Sequence, residues 1–73
     1  MAGLKIFLGD IEALNRLSGV IHEHGVKGRG RVSLALDREM REIEMDLPQG
    51  YQISAAMRSA IKSISGVIDV VDL

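Results

Sequence analysis

Seventy-three residues hold one small domain and leave no room for a two-domain enzyme. Hydrophobic residues make up 47% and charged residues 26%, a globular composition rather than a disordered or membrane one. Nine basic against ten acidic residues give a formal net charge of -1, which excludes a global field that would gather nucleic acid or an anionic membrane, and the absence of cysteine excludes disulfides, thiolate metal sites and a cysteine nucleophile.

Leu4, Ile6 and Leu8 alternate with Lys5 and Phe7, the period of a half-buried strand over residues 4–8. This apolar start is too short for a signal peptide, and no stretch approaches the roughly 18 apolar residues of a membrane helix, so the expected compartment is the cytoplasm, with no membrane partner. Gly9 and Asp10 break the strand; Asp10 caps a helix beginning at Ile11, in which Leu14, Leu17 and Ile21 recur at helical spacing until Gly25. The stretch from Val26 to Gly30 reads as a glycine-rich basic connector. Val32, Leu34 and Leu36 then form a second strand, and Asp37-Arg38-Glu39 turns the chain.

Ile43, Met45 and Leu47 alternate with Glu42, Glu44 and Asp46, a third strand with an aliphatic inner face and a solvated acidic outer one. Leu47-Pro48-Gln49-Gly50 suits a type I turn, and Tyr51 to Ile53 is a short extended piece. Ser54 caps a second helix with Met57, Ala60, Ile61 and Ile64 on one stripe, and Gly66 ends it. The last strand runs from Val67 to Leu73, with Ile68 and Val70 on one face and Val67, Asp69, Val71 and Leu73 on the other. The order βαββαβ, with one apolar face per strand and one stripe per helix, predicts a ferredoxin-like α+β two-layer sandwich: two helices on one face of an antiparallel sheet.

No catalytic constellation emerges. The six serines sit in no nucleophile-elbow pattern. His22 and His24, two apart on a helix, point to different sides and have no third ligand, so no metal is expected, and no motif calls for a cofactor. The acidic third strand, without a ring for base stacking, argues against RNA binding on the sheet. Lys27, Arg29 and Arg31 offer a contact for phosphate or an acidic partner, but the segment follows a helix and enters a strand, the reverse of a phosphate-binding loop. On surface logic Phe7, Ala35, Val67, Val71 and Leu73 form an apolar area beside the acidic row, with Phe7, Val67, Val71 and Leu73 the expected partner contacts.

Leu4-Lys5-Ile6-Phe7-Leu8, Lys27-Gly28-Arg29-Gly30-Arg31-Val32-Ser33-Leu34, the run Arg41 to Ser54 through Leu47-Pro48-Gln49-Gly50-Tyr51, and Ile61 to Val70 through Ser65-Gly66-Val67 together resemble the extreme C-terminal domain of the bacterial DNA polymerase III alpha subunit, in its alphaproteobacterial form. The likeness covers nearly the whole chain and is a pattern of strand, turn and helix rather than a catalytic motif. It implies a domain cut from the C-terminus of a DNA-directed DNA polymerase, without the polymerase's own catalytic residues. It further implies docking on the tau subunit of the clamp loader; the stretch from Lys27 to Arg31 is expected to make at most a weak, salt-sensitive contact with DNA backbone or an acidic partner, and the isolated domain is expected to be a monomer. Gly66-Val67-Ile68-Asp69-Val70 is also similar to the last strand of amino-acid-sensing ACT domains, although Gly9-Asp10-Ile11-Glu12 lacks the proline those domains carry after strand one. Homodimerisation through the last strand's edge is a third expectation.

Overall fold

The computed structural model describes residues 3–38 and 41–73. Its elements run β1 (Gly3–Leu8), α1 (Ile11–His24), β2 (Lys27–Arg38), β3 (Arg41–Asp46), α2 (Ala55–Lys62) and β4 (Val67–Asp72). The four strands form a single sheet with the helices packed on one of its faces, so the chain is a two-layer α+β sandwich with the ferredoxin-like element order.

The local signals act where the sequence places them. The Asp10 carboxylate accepts the Ala13 N–H at 2.8 Å and starts α1, and the Ser54 hydroxyl accepts the Met57 N–H at 3.1 Å and starts α2. Leu4, Ile6 and Leu8 from β1, Val32, Leu34 and Leu36 from β2, Leu17 and Ile21 from α1, and Met57 and Ile61 from α2 share one core. The α1 stripe is rotated from its expected position. Ala13 lies fully buried, Leu14 is half-buried and Ile11 stays 52% exposed, because Gly66 packs directly over Ala13 and draws that side of the helix inward.

Gly66 is required on two counts. Its φ of +94° lies in the left-handed region, which side chains disfavour, and a Cβ there would sit 2.8 Å from that of Ala13. Its carbonyl accepts the Gly9 N–H at 2.8 Å, tying the start of β4 to the end of β1.

The sheet departs from the antiparallel expectation. Strand order is β3-β2-β1-β4: β1 pairs with β2 in parallel, while β1–β4 and β2–β3 are antiparallel, so the sheet is mixed. A split βαβ arrangement would insert β3 between β1 and β2. Burial explains why it does not. Val32, Leu34, Ala35 and Leu36 are at most 4% exposed, fit for an interior strand, whereas every residue of β3 is exposed, including Ile43 at 45% and Met45 at 40%. A strand bearing Glu42, Glu44 and Asp46 on its other face is solvated best at an edge. The aliphatic face expected of the third strand is therefore only partly covered, since α1 rests on β1 and α2 on β4.

Two further expectations change. Residues 27–30 belong to β2 instead of forming a connector, because their backbone pairs with the segment around Tyr51 through bridges Lys27↔Tyr51 and Gly30↔Tyr51. Asp37 and Arg38 also extend β2, and the rest of the turn predicted at Asp37-Arg38-Glu39 lies outside the described residues.

Candidate interaction surface

The sheet face turned away from the helices is set by register. Lys5 and Phe7 of β1 lie beside Ser33 and Ala35 of β2, which lie beside Asp46 and Glu44 of β3. On the other side Lys5 pairs with Val71 and Phe7 with Asp69. Phe7 and Val71 thus stand on the open face, as their alternation predicts. Ala35 is there too but is only 2% exposed, covered between the strands of Phe7 and Glu44, and offers no contact area.

Lys5 organises the centre of this face. Its ammonium donates to Glu44, lies 3.8 Å from Glu42 and stands 5.3 Å from the centroid of the Phe7 ring. The hydrogen bond between them holds the Glu44 carboxyl below the usual carboxylate range and raises the Lys5 ammonium above the usual lysine value. Ser33 donates its hydroxyl proton to Asp46. The acidic row of β3 is therefore engaged by neighbours at each of its three carboxylates, rather than standing alone in solvent.

A bulge in β4 decides its contact residues. Leu8 pairs with Val67 and Phe7 with Asp69, which leaves Ile68 as an extra residue in the strand. The alternation inverts at that point. Val67 joins Val70 against the core, so the expected contact at Val67 is withdrawn, while Ile68 turns out and is 68% exposed. Strict alternation, which paired Ile68 with Val70, cannot register such an insertion. Ile68 instead lines a shallow cavity of about 290 Å³ with Phe7, Ala35, Asp37, Glu42 and Asp69. Val71, at 41%, and Leu73, at 58% exposed, continue the apolar strip along the edge, and Leu73 donates its N–H to the Gly3 carbonyl at 3.0 Å, which fixes the end of the strand. Asp72 accepts from the Arg58 guanidinium of α2 and anchors the same strand from the helix side.

Lys27, Arg29 and Arg31 are all exposed, but the structure does not set them on one face: Lys27 and Gly30 both bridge Tyr51, so the strand bulges between them and Lys27 stands on the Tyr51 side, while Arg31 is in register with Gly3 on the open face. His22 and His24 are exposed in the last turn of α1, and among the described residues no group of three or more His, Cys, Asp or Glu is placed to hold a metal ion. Besides the outward turn of Ile68, sequence reasoning missed an open groove of about 550 Å³ between α1 and β3 that includes Leu14, Ile21, Leu34, Met45, Leu47 and Tyr51. The signal for it was the third strand's aliphatic face, which has no helix of its own.

Compared with known protein families, curated proteins and solved structures, the chain matches none. Among the described residues no helix is long and apolar enough to cross a membrane.

Proposed function

We propose that this chain is a non-catalytic protein-interaction domain, working in the cytoplasm as the C-terminal domain of a replicative DNA polymerase alpha subunit and docking it to the tau subunit of the clamp loader. The resemblance of its strand, turn and helix pattern to that family suggests the partner. The observation that carries the reading is the edge strand β4, where Ile68, Val71 and Leu73 expose large apolar side chains beside Phe7. An edge strand presents unpaired backbone groups together with a row of side chains, the two elements by which a partner strand is added to a sheet. Exposed apolar residues at such an edge supply the desolvated centre of an interface, and Asp69, Asp37 and Glu42 supply a charged rim.

The test is an amide NMR titration of the isotope-labelled domain with the C-terminal part of the cognate tau subunit. Shifts are expected at Phe7, Ile68, Val71 and Leu73. The double substitution Val71→Lys and Leu73→Lys, at exposed positions that leave the core alone, should weaken binding at least about tenfold. Silence toward tau, or shifts confined to the groove between α1 and β3, would overturn the reading. A thermal shift induced by amino acids would then favour a sensing module of the ACT type.

A further inference from the structure

The backbone groups that β4 offers at its free edge follow from its pairing with β1. Leu73 donates its N–H to the Gly3 carbonyl, and in an antiparallel ladder the groups turned to the neighbour alternate along the strand. Val71 and Asp69 therefore also face β1, while Val70 and Asp72 turn to the free edge. The Val70 N–H is not left to solvent. The carboxylate of the preceding residue, Asp69, accepts it at 2.8 Å. Asp69 is exposed, stands in register with Phe7 on the open face, and among the described residues forms no ion pair. Lys5, the neighbouring open-face residue of β1, has its ammonium turned to Glu44 and Glu42. The surroundings of Asp69 are apolar and acidic. Phe7 and Ile68 line the cavity of about 290 Å³ with Asp37, Glu42 and Asp69, and Val71 and Leu73 follow Asp69 on the same face at steps of about 6.6 Å.

We propose that β4 takes up an extended, antiparallel segment of a protein partner that reads apolar-x-apolar-x-basic, its two apolar residues opposite Leu73 and Val71 and its Lys or Arg opposite Asp69. The inference rests on the reading of β4 as the docking edge and adds the chemistry of what docks there. A strand added at this edge needs the Val70 N–H for its own carbonyl, and taking it displaces the Asp69 carboxylate. A cation opposite gives that carboxylate a charge-assisted partner in exchange, and the aliphatic stem of the cation lies over Ile68 and Phe7. In antiparallel pairing, the more stable kind per residue, positions 69, 71 and 73 become non-hydrogen-bonded pairs. Side chains approach most closely there, so the match is read residue by residue. An acidic residue opposite Asp69 is repelled by it and by Asp37 and Glu42 beyond it. The same logic turns away a second copy of this chain. The six residues of β4 include two acids and no base, so pairing β4 with itself displaces Asp69 on both copies and brings neither a cation.

The experiment is a set of amide NMR titrations of the isotope-labelled 73-residue chain at low salt with three end-capped heptapeptides. They are Thr-Val-Thr-Val-Thr-Arg-Thr, the same peptide with Glu in place of Arg, and the reversed sequence Thr-Arg-Thr-Val-Thr-Val-Thr. The first is expected to shift residues 68–73, Val70 above all, to bind about tenfold tighter than the Glu peptide, and to weaken as salt rises. The reversed peptide, which sets its cation opposite Leu73, is expected to bind several-fold weaker than the first. Asp69→Asn keeps an oxygen for the Val70 N–H and loses the charge. It should bring the Arg and Glu peptides within about twofold of each other, with circular dichroism matching the parent. Equal binding of the Arg and Glu peptides by the parent, equal binding of the first and reversed peptides, a preference that survives in Asp69→Asn, or no peptide binding would overturn the proposal. A parallel titration with the C-terminal part of tau separates the two readings. Silence toward tau with selective binding of the Arg peptide overturns tau as the partner and supports the basic-segment site, whereas tau shifts along β4 without any Arg preference support tau docking and overturn that site.

Discussion

Leu34 and Met45 are direct neighbours across the β2–β3 ladder and face the same side of the sheet, yet Leu34 is 1% exposed and Met45 40%. Truncating both, one at a time, tests the strand order. Leu34→Ala removes three buried carbons, a loss of about 2.4 kcal/mol at about 0.8 kcal/mol each. It also leaves a cavity beside Ile6, its neighbour on β1, that a packed interior fills only in part, bringing the expected cost to about 3–4 kcal/mol. A chain of this length typically holds about 4–11 kcal/mol in total, so the variant should lose about a quarter or more of its stability and more than about 12 °C of Tm. Met45→Ala removes a side chain already two-fifths in water and opens no enclosed void; about 1 kcal/mol or less is expected. Urea unfolding followed by far-UV circular dichroism, with the slope of the transition unchanged, measures both. Equal losses at the two positions would refute the reasoning. They would mean that Met45 is as enclosed as Leu34, hence that β3 lies inside the sheet as in a split βαβ order.

Other outcomes follow from the same structure. Gly66→Ala forces a left-handed φ on a residue with a side chain and drives its Cβ toward Ala13, so a loss of about 1–3 kcal/mol is expected in the same urea assay. Asp10→Ala removes the acceptor of the Ala13 N–H and should cost about 1 kcal/mol, with Asp10→Asn recovering most of it. The Lys5–Glu44 pair has a definite pH signature. Because the folded Glu44 carboxyl titrates below its unfolded value, its contribution is present above the ordinary glutamate range and is lost as pH falls through the lowered folded value. Because the folded Lys5 ammonium titrates above its unfolded value, its contribution is complete below the ordinary lysine value and is lost as pH rises through the raised one. The stability difference between the parent and Glu44→Gln should be flat through neutral pH and shrink at both extremes; a difference that grows on acidification would refute the assignment.

How much of this was legible in the sequence depends on the range of the interaction that decides each feature. Asp10 and Ser54 act through atoms three residues away and Gly66 turns the chain between α2 and β4 through its own left-handed backbone, roles that could be read directly from residue types and neighbours, whereas the packing of Gly66 on Ala13 could not. The inward parity of β1 and of residues 32–36 was equally legible, since period two needs no partner to be recognised. Strand order was not, because it turns on which strand tolerates the interior, a comparison of whole faces. The bulge at Ile68 escaped because inserting one residue leaves composition untouched while exchanging the faces of the residues before it, which moved Val67 inward and Ile68 outward. The basic stretch read as a connector because glycine is depleted in strands generally. Here glycine is what a strand needs wherever another backbone lies against it.

Strand order also determines which surfaces the domain can offer. With β3 at one edge and β4 at the other, the acidic side chains gather along one border of the open face and the exposed aliphatic ones along the opposite border, with Lys5 between them. Had β3 been interleaved between β1 and β2, its carboxylates would crowd the centre of the face, and β2 would be an edge with one flank unpaired throughout. Instead β2 is paired with β1 from Arg31 onward and with the Tyr51 segment before it. The sheet order that spares the core an acidic strand is thus the same order that separates the exposed apolar residues of β4 from the acidic residues of β3.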